Sequence, residues 1–133
     1  MTKKKVPNIA PSIFYKTEQC PIRSVISRIS GKWPLLIIAH LSFGKHRFSE
    51  LLGGIPDISQ RMLTQTLRVL ERDGFVRRIP TASIPPRVDY ELTDRGFDFV
   101  PLIQPLMQWA LETRKDIEQS QADYDTEDAS SAA

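Results

Sequence analysis

Ser59-Gln60-Arg61-Met62-Leu63-Thr64-Gln65-Thr66-Leu67-Arg68-Val69-Leu70-Glu71-Arg72-Asp73-Gly74 reads as one helix with two different surfaces. Leu63, Leu67 and Leu70 recur at i, i+4, i+7 and make an apolar stripe. Arg61, Gln65, Arg68 and Arg72 recur at i, i+4, i+7, i+11 and make a polar, positive stripe elsewhere on the surface. Ser59 suits the N-cap, where its oxygen can accept from a free N–H of the first turn. Gly74 suits the position just past the helix end, where the backbone turns left-handed. Arg and Gln are also good helix formers, so a merely solvated face would look similar. The rival reading is a face whose planar donors match base edges or phosphates.

The residues after Gly74 favour the second reading. Phe75-Val76-Arg77-Arg78-Ile79 reads as a strand, and Arg87-Val88-Asp89-Tyr90-Glu91-Leu92 as its antiparallel partner, with Val88, Tyr90 and Leu92 on one face. The seven residues Pro80 to Pro86 hold three prolines and read as a loop too long for a tight turn. Arg77, Arg78 and Arg87 flank this loop, so a basic hairpin follows the helix directly.

Upstream, Pro21 suits the first position of a helix whose Ile22, Val25, Ile26 and Ile29 share a face. Gly31 breaks the chain. A second helix starts near Lys32 and tolerates Pro34 in its first turn, where the missing N–H costs nothing. Its run Leu35 to Leu41 is apolar nearly all round, which places it in the core. A short third helix spans Phe48 to Leu52, and Gly53, Gly54 and Pro56 read as a turn. Downstream, Thr93 can cap a last helix with Phe97, Val100, Ile103 or Gln104, Met107 and Leu111 on its apolar face. Pro101 and Pro105 are expected to bend or interrupt it.

Three helices followed by a two-stranded hairpin is the winged helix-turn-helix arrangement, mainly α with a small β-hairpin wing. Such a fold sets the second helix of its helix-turn-helix in the major groove. The expected organisation is a flexible basic arm over 1–17, a winged helix-turn-helix DNA-binding domain over 18–117, and a disordered acidic tail over 118–133.

Composition agrees with a polyanionic partner. The 133 residues are 41% hydrophobic and 26% charged, as in an ordinary globular protein. Residues 1–111 carry 16 Lys/Arg against 9 Asp/Glu, whereas 112–133 carry two basic and seven acidic residues. A basic body with an acidic tail fits nucleic acid, although a solvated basic surface has the same balance. No apolar run approaches the ~18 residues of a membrane span. No signal-peptide pattern follows the basic N-terminus. Cytoplasmic location is therefore expected, and a lone cysteine agrees with a reducing compartment.

Cys20-Pro21, Gly31-Lys32-Trp33, Arg47-Phe48-Ser49-Glu50-Leu51, Ile58 to Gln65, Leu67 to Gly74, Pro85 to Thr93 and Gly96 together closely resemble the HxlR family of bacterial winged helix-turn-helix regulators, related in architecture to the MarR group. The resemblance runs from about Cys20 to Trp109. It implies a homodimer joined mainly by terminal helices and a pseudo-palindromic double-stranded DNA operator. It does not imply repression over activation. Pro34 and Pro105 depart from the family pattern.

On this reading Ser59, Gln60, Arg61, Thr64, Gln65 and Arg68 are the recognition-helix contacts. Arg77, Arg78, Arg87, Lys32, Lys45 and His46 are the wing and backbone contacts, which supply affinity but no sequence information. Cys20 is the candidate sensor for an oxidant or small-molecule effector. It precedes a helix N-terminus and lies near Arg23, and both features favour the reactive thiolate. Relatives that sense quinones, diamide or hypochlorite through a cysteine here point the same way. The plainer alternative is a small packed cysteine without chemistry.

Other residues read more simply. His40 lies in an apolar helix and is expected to be a core residue. Trp33 and Trp109 are expected in the core or an interface, with a small-molecule pocket as the alternative. One Cys and two His give no metal-ligand spacing, and no cofactor is expected. Gly53-Gly54 is only a turn and no Ser/His/Asp set stands out, so an enzyme is not expected. The remaining rival is a winged-helix protein-interaction module without DNA binding, which would ordinarily lack the Arg61/Gln65/Arg68 stripe.

Overall fold

The computed structural model describes residues 21–131. The expected 1–17 arm and Cys20 lie outside the described residues. In chain order the elements are α1 (Pro21–Ile29), α2 (Lys32–Leu41), β1 (His46–Arg47), α3 (Phe48–Gly54), α4 (Gln60–Arg72), β2 (Val76–Thr81), β3 (Arg87–Leu92) and α5 (Asp94–Ser131). The strands form one antiparallel sheet in the order β1-β3-β2. The fold is a mainly helical winged helix-turn-helix.

Helix α4 forms where its sequence says it should. The Ser59 Oγ accepts the Met62 N–H at 3.0 Å. Ser59→Ala is expected to lower stability by about 1 kcal/mol, the usual worth of such a cap, measurable by urea unfolding. At the other end Gly74 adopts φ +84°. There the Phe75 N–H reaches the Leu70 carbonyl at 2.9 Å and the Gly74 N–H reaches Glu71 at 3.1 Å. These two bonds satisfy carbonyls that the helix end would otherwise leave free. The C-cap residue Asp73 receives Arg28 of α1 on its carboxylate at 2.8 Å and Arg95 of α5 on its carbonyl at 2.7 Å. Both cations sit at the negative end of the α4 dipole.

The core is built around α2. Ile37, Ile38 and Leu41 are fully buried with Leu51 of α3 and Leu63, Leu67 and Leu70 of α4. The turn between α3 and α4 is pinned by buried Ile55 and Ile58. Its Asp57 takes φ +66°, which an Asp tolerates better than most residues. The sheet closes one side of the core through Val76, Tyr90 and Leu92. Gly96 lies against the sheet, and a Cβ there would collide with the Phe75 carbonyl oxygen. Only glycine lets α5 start this close. Thr93 caps α5 as expected, accepting the Gly96 N–H at 3.3 Å.

Several expectations need correction. α3 continues through Gly53 and Gly54, where the sequence suggests a turn. β1 is a third strand, two residues long, that the sequence pattern does not announce. β2 runs on through Pro80 to Thr81, which shortens the expected loop to residues 82–86. Pro80 is tolerated because β2 is an edge strand.

The largest departure is α5. It is helical through Pro101 and Pro105, and through residues 118–131, where a disordered tail is expected from sequence. Ile103, between the prolines, is fully buried, so packing holds the helical path where hydrogen bonds are lost. Farther along, Arg114–Glu118 and Gln119–Asp123 pair at i, i+4. Each such pair supports a helix by ~0.2–0.5 kcal/mol. The expected apolar face is only partly buried: Phe97 and Leu111 are exposed.

Candidate nucleic-acid interface

The polar stripe of α4 points away from the leucine stripe. Thr66 and the three leucines face the core, and Gln60, Arg61, Gln65 and Arg68 are exposed. Gln60, Arg61, Thr64, Gln65, Arg68 and Val69 line one open groove. Five of the six expected recognition residues thus come together. The sixth, Ser59, is the N-cap at the start of the same helix. Val69 is a residue that sequence reasoning misses. Its only signal is its i+4 relation to Gln65, and its apolar side chain is of the kind that can meet a thymine methyl.

Hydrogen bonds refine what each group can offer. The Thr64 hydroxyl donates to the Gln60 carbonyl at 2.8 Å, which leaves its oxygen as an acceptor. The Ser59 oxygen already accepts from Met62, and its hydroxyl proton is not used in that bond. Among the described residues, Arg61 and Arg68 make no ion pair. Their charges are not offset by a carboxylate contact.

The wing arginines do not act as a set. Arg77 and Arg78 are adjacent on β2, so their side chains leave opposite faces of the sheet. Arg77 stands opposite Glu91 and its Nη1 donates to that carboxylate at 2.8 Å. Arg78 is exposed and, among the described residues, has no ion pair. The Arg87 Nε donates to both oxygens of buried Asp89, at 3.0 and 3.2 Å. That contact fixes the guanidinium by its inner nitrogen and leaves the two outer nitrogens for another acceptor. Arg87 also lines a second groove, with Arg47, Ser49, Thr81 and Ser83 between the β1–α3 junction and the wing loop. Arg47 does not stand out in the sequence. Its position becomes legible only once β1 pairs with β3.

Of the remaining expected contacts, Lys32 and His46 are engaged locally. The Lys32 ammonium lies 4.4 Å from the Trp33 ring centroid. The His46 Nδ1 is 2.7 Å from the Gly44 carbonyl, and its ring packs edge-on against His40. His40 is half-buried and touches the Gly54 position. Lys45 is exposed. Trp33 packs on the core, whereas Trp109 is exposed on α5. Among the described residues no group of His, Cys, Asp or Glu could hold a metal ion. No described helix is long and apolar enough to cross a membrane.

Residues 28–118 match the family model of the HxlR-like helix-turn-helix. The chain belongs to the HxlR family. Its relatives in that family include the uncharacterized HTH-type transcriptional regulator YdeP of Bacillus subtilis, 39% identical over 84% of this chain and 87% of YdeP. Among solved structures, the putative transcriptional regulator ytfH from Salmonella typhimurium superposes with a TM-score of 0.73 at 34% identity, over 79% of this chain and 94% of that one. The redox regulator HypR in its reduced form superposes with a TM-score of 0.69 at 37% identity, over 74% of this chain and 98% of that one. As a member of the HxlR family the chain is a DNA-binding transcriptional regulator. Within the HxlR match lie α2 to β3 entire, hence the whole helix-turn-helix and wing.

Proposed function

We propose that the protein binds a pseudo-palindromic operator as a homodimer, with α4 in the major groove of each half-site and the β2–β3 wing against the flanking backbone. The observation that carries this reading is the α4 groove. Five polar side chains converge there, opposite the leucines that anchor the helix, and its two arginines are unpaired among the described residues. Guanidinium and amide groups are the side chains that read guanine and adenine edges by paired hydrogen bonds. Two symmetric copies would meet successive major grooves about 34 Å apart. A second copy is supported by α1 and α5, which leave Val25, Ile26, Leu102, Leu106 and Trp109 exposed. Large apolar side chains left open on two helices are the usual material of an interface between copies.

A gel shift against the DNA upstream of the protein's own gene tests the reading. A discrete shift that unrelated DNA does not compete away is expected. Absence of binding at low salt would leave the protein-interaction module as the better account. The wing residues separate by salt dependence. Arg87→Ala is expected to weaken all DNA about uniformly and to flatten the slope of log K against log salt by about 0.9, the worth of one phosphate contact. Arg77→Ala is expected to change the slope less, because Glu91 holds one of its outer nitrogens, whereas Asp89 holds Arg87 only by its inner nitrogen and leaves both outer ones for a phosphate. A loss confined to one base position in the Arg87 variant would contradict a backbone role.

Cys20 is proposed as the sensor of an oxidant or electrophile. The reading is supported by the thiol's place next to Pro21, the first residue of α1, and by the likeness to the redox regulator HypR. Diamide is expected to release the protein from its operator. A Cys20→Ser variant that still responds to diamide would remove Cys20 from this role.

A further inference from the structure

The groove between the β1–α3 junction and the wing loop owes its polar side to the pairing of β1 with β3. Arg47 stands directly opposite Asp89, so the two side chains leave one face of the sheet. Arg87 lies two residues from Asp89 on β3 and shares that face. Tyr90 and Leu92 take the other face, toward the core. Arg47 and Arg87 are thus diagonal neighbours across the strand pair, and such neighbours lie about 7–8 Å apart. Two arginine side chains on one face can close on a common acceptor over that distance.

Their charges are not balanced. Asp89 is buried and takes the Arg87 Nε, which leaves the two outer nitrogens for another acceptor. Arg47 is exposed and, among the described residues, makes no ion pair. Glu50, the acidic residue nearest to it in the sequence, is turned onto the Arg47 backbone N–H at 3.1 Å. Two guanidiniums against one carboxylate leave a single positive charge. None of the residues that line the groove is acidic. Ser49 and Thr81 add hydroxyls, whereas Ser83 donates its proton to the Pro85 carbonyl at 2.7 Å. Ile84, Pro85 and Pro86 supply an apolar wall of the kind a deoxyribose can lie against.

A groove rich in forked donors, with one net positive charge, suits a singly charged phosphodiester and its two free oxygens. Its place in the fold selects the source. α3 is the first helix of the helix-turn-helix, the one that crosses the DNA backbone while the second enters the major groove. The other wall of the groove is the wing. A DNA strand that touches both walls runs over the groove between them.

We infer that Arg47 and Arg87 clamp one phosphate of the DNA backbone in each half-site, and that Arg47 is therefore a DNA-contacting residue. A single anion would then tie the helix-turn-helix to the wing. This rests on the DNA-bound arrangement proposed above and adds to it a shared phosphate and the residue that completes its site.

Arg47→Ala is expected to weaken binding to all DNA roughly tenfold or more, the worth of a charged hydrogen bond, and to flatten the salt slope by about 0.9. Because both arginines hold the same phosphate, the double variant Arg47→Ala, Arg87→Ala is expected to flatten it by about 0.9 again, and not by about 1.8. In a scan of the operator with single neutral methylphosphonate linkages, one position in each half-site should weaken the unaltered protein yet cost neither alanine variant any further affinity. Summed losses and a slope change of about 1.8 in the double variant put the two arginines on separate phosphates and overturn the clamp. Absence of such a methylphosphonate position does the same, as does an Arg47→Ala protein that keeps full affinity while Arg61→Ala loses it. Inorganic phosphate at millimolar concentration is expected to leave the unfolding temperature where chloride of equal ionic strength leaves it. A rise that Arg47→Ala abolishes makes the groove a site for a free anion and overturns its assignment to DNA. A chain that shifts no DNA at low salt overturns this inference and the operator reading together.

Discussion

Leu67→Ala is expected to lower the unfolding free energy by about 2–5 kcal/mol, the range for truncating a fully buried leucine. Leu67 is only 1% exposed and lies in the middle of α4, between Leu63 and Leu70. The loss combines the apolar transfer of the removed carbons with the cavity they leave. Collapse into that cavity is restricted, because α4 is tied at both ends. Ser59 caps its start, and Arg28 and Arg95 hold Asp73 at its finish. A domain of this size has only about 5–15 kcal/mol in hand, so a large fraction would go in one step. Urea unfolding followed by circular dichroism measures the effect. A change below about 1 kcal/mol would show that α4 is not anchored on this stripe, since surface substitutions rarely exceed ~0.5 kcal/mol.

Arg61→Ala is expected to weaken operator binding by about 1–3 kcal/mol and to relax base preference at one position of each half-site. Arg61 stands in the first turn of α4, the end that a helix-turn-helix directs at base edges. Its guanidinium is exposed and, among the described residues, makes no ion pair, so alanine removes little from folding. The effect therefore falls on recognition and not on stability. Titration of the operator and of single-base variants separates the outcomes. Uniform weakening across all variants would make Arg61 a phosphate contact. Unchanged affinity and unchanged preference would move recognition off this face. Leu67→Ala and Arg61→Ala thus probe opposite sides of one helix, and their unfolding and binding readouts should not coincide.

Helix α4 is legible in the sequence because its signals are local. The cap at Ser59, the leucine spacing and the left-handed Gly74 all sit within sixteen residues and agree with one another. β3 is legible by its alternation. The features that escape are set by distant chain. β1 is two residues long and exists only because His46 and Arg47 meet Tyr90 and Asp89. The strand character of Pro80 depends on β2 being an edge, which no local pattern announces. The engagement of Arg77 and Arg87 is also hidden, since each depends on where Glu91 and Asp89 point. α5 misleads for a related reason. Its prolines and acidic residues argue locally against a helix, while the buried Ile103 argues for one only after the core is assembled.

Pro80 has one more consequence. An open sheet offers its edges to any passing strand, and both edges here are spoiled for that purpose. β1 is too short to template a neighbour. β2 presents two adjacent arginines and a proline that has no N–H to give and whose ring obstructs a strand laid alongside. The wing can therefore project from the domain without recruiting a fourth strand from another molecule. The hairpin is thereby kept free for the nucleic acid it is proposed to meet.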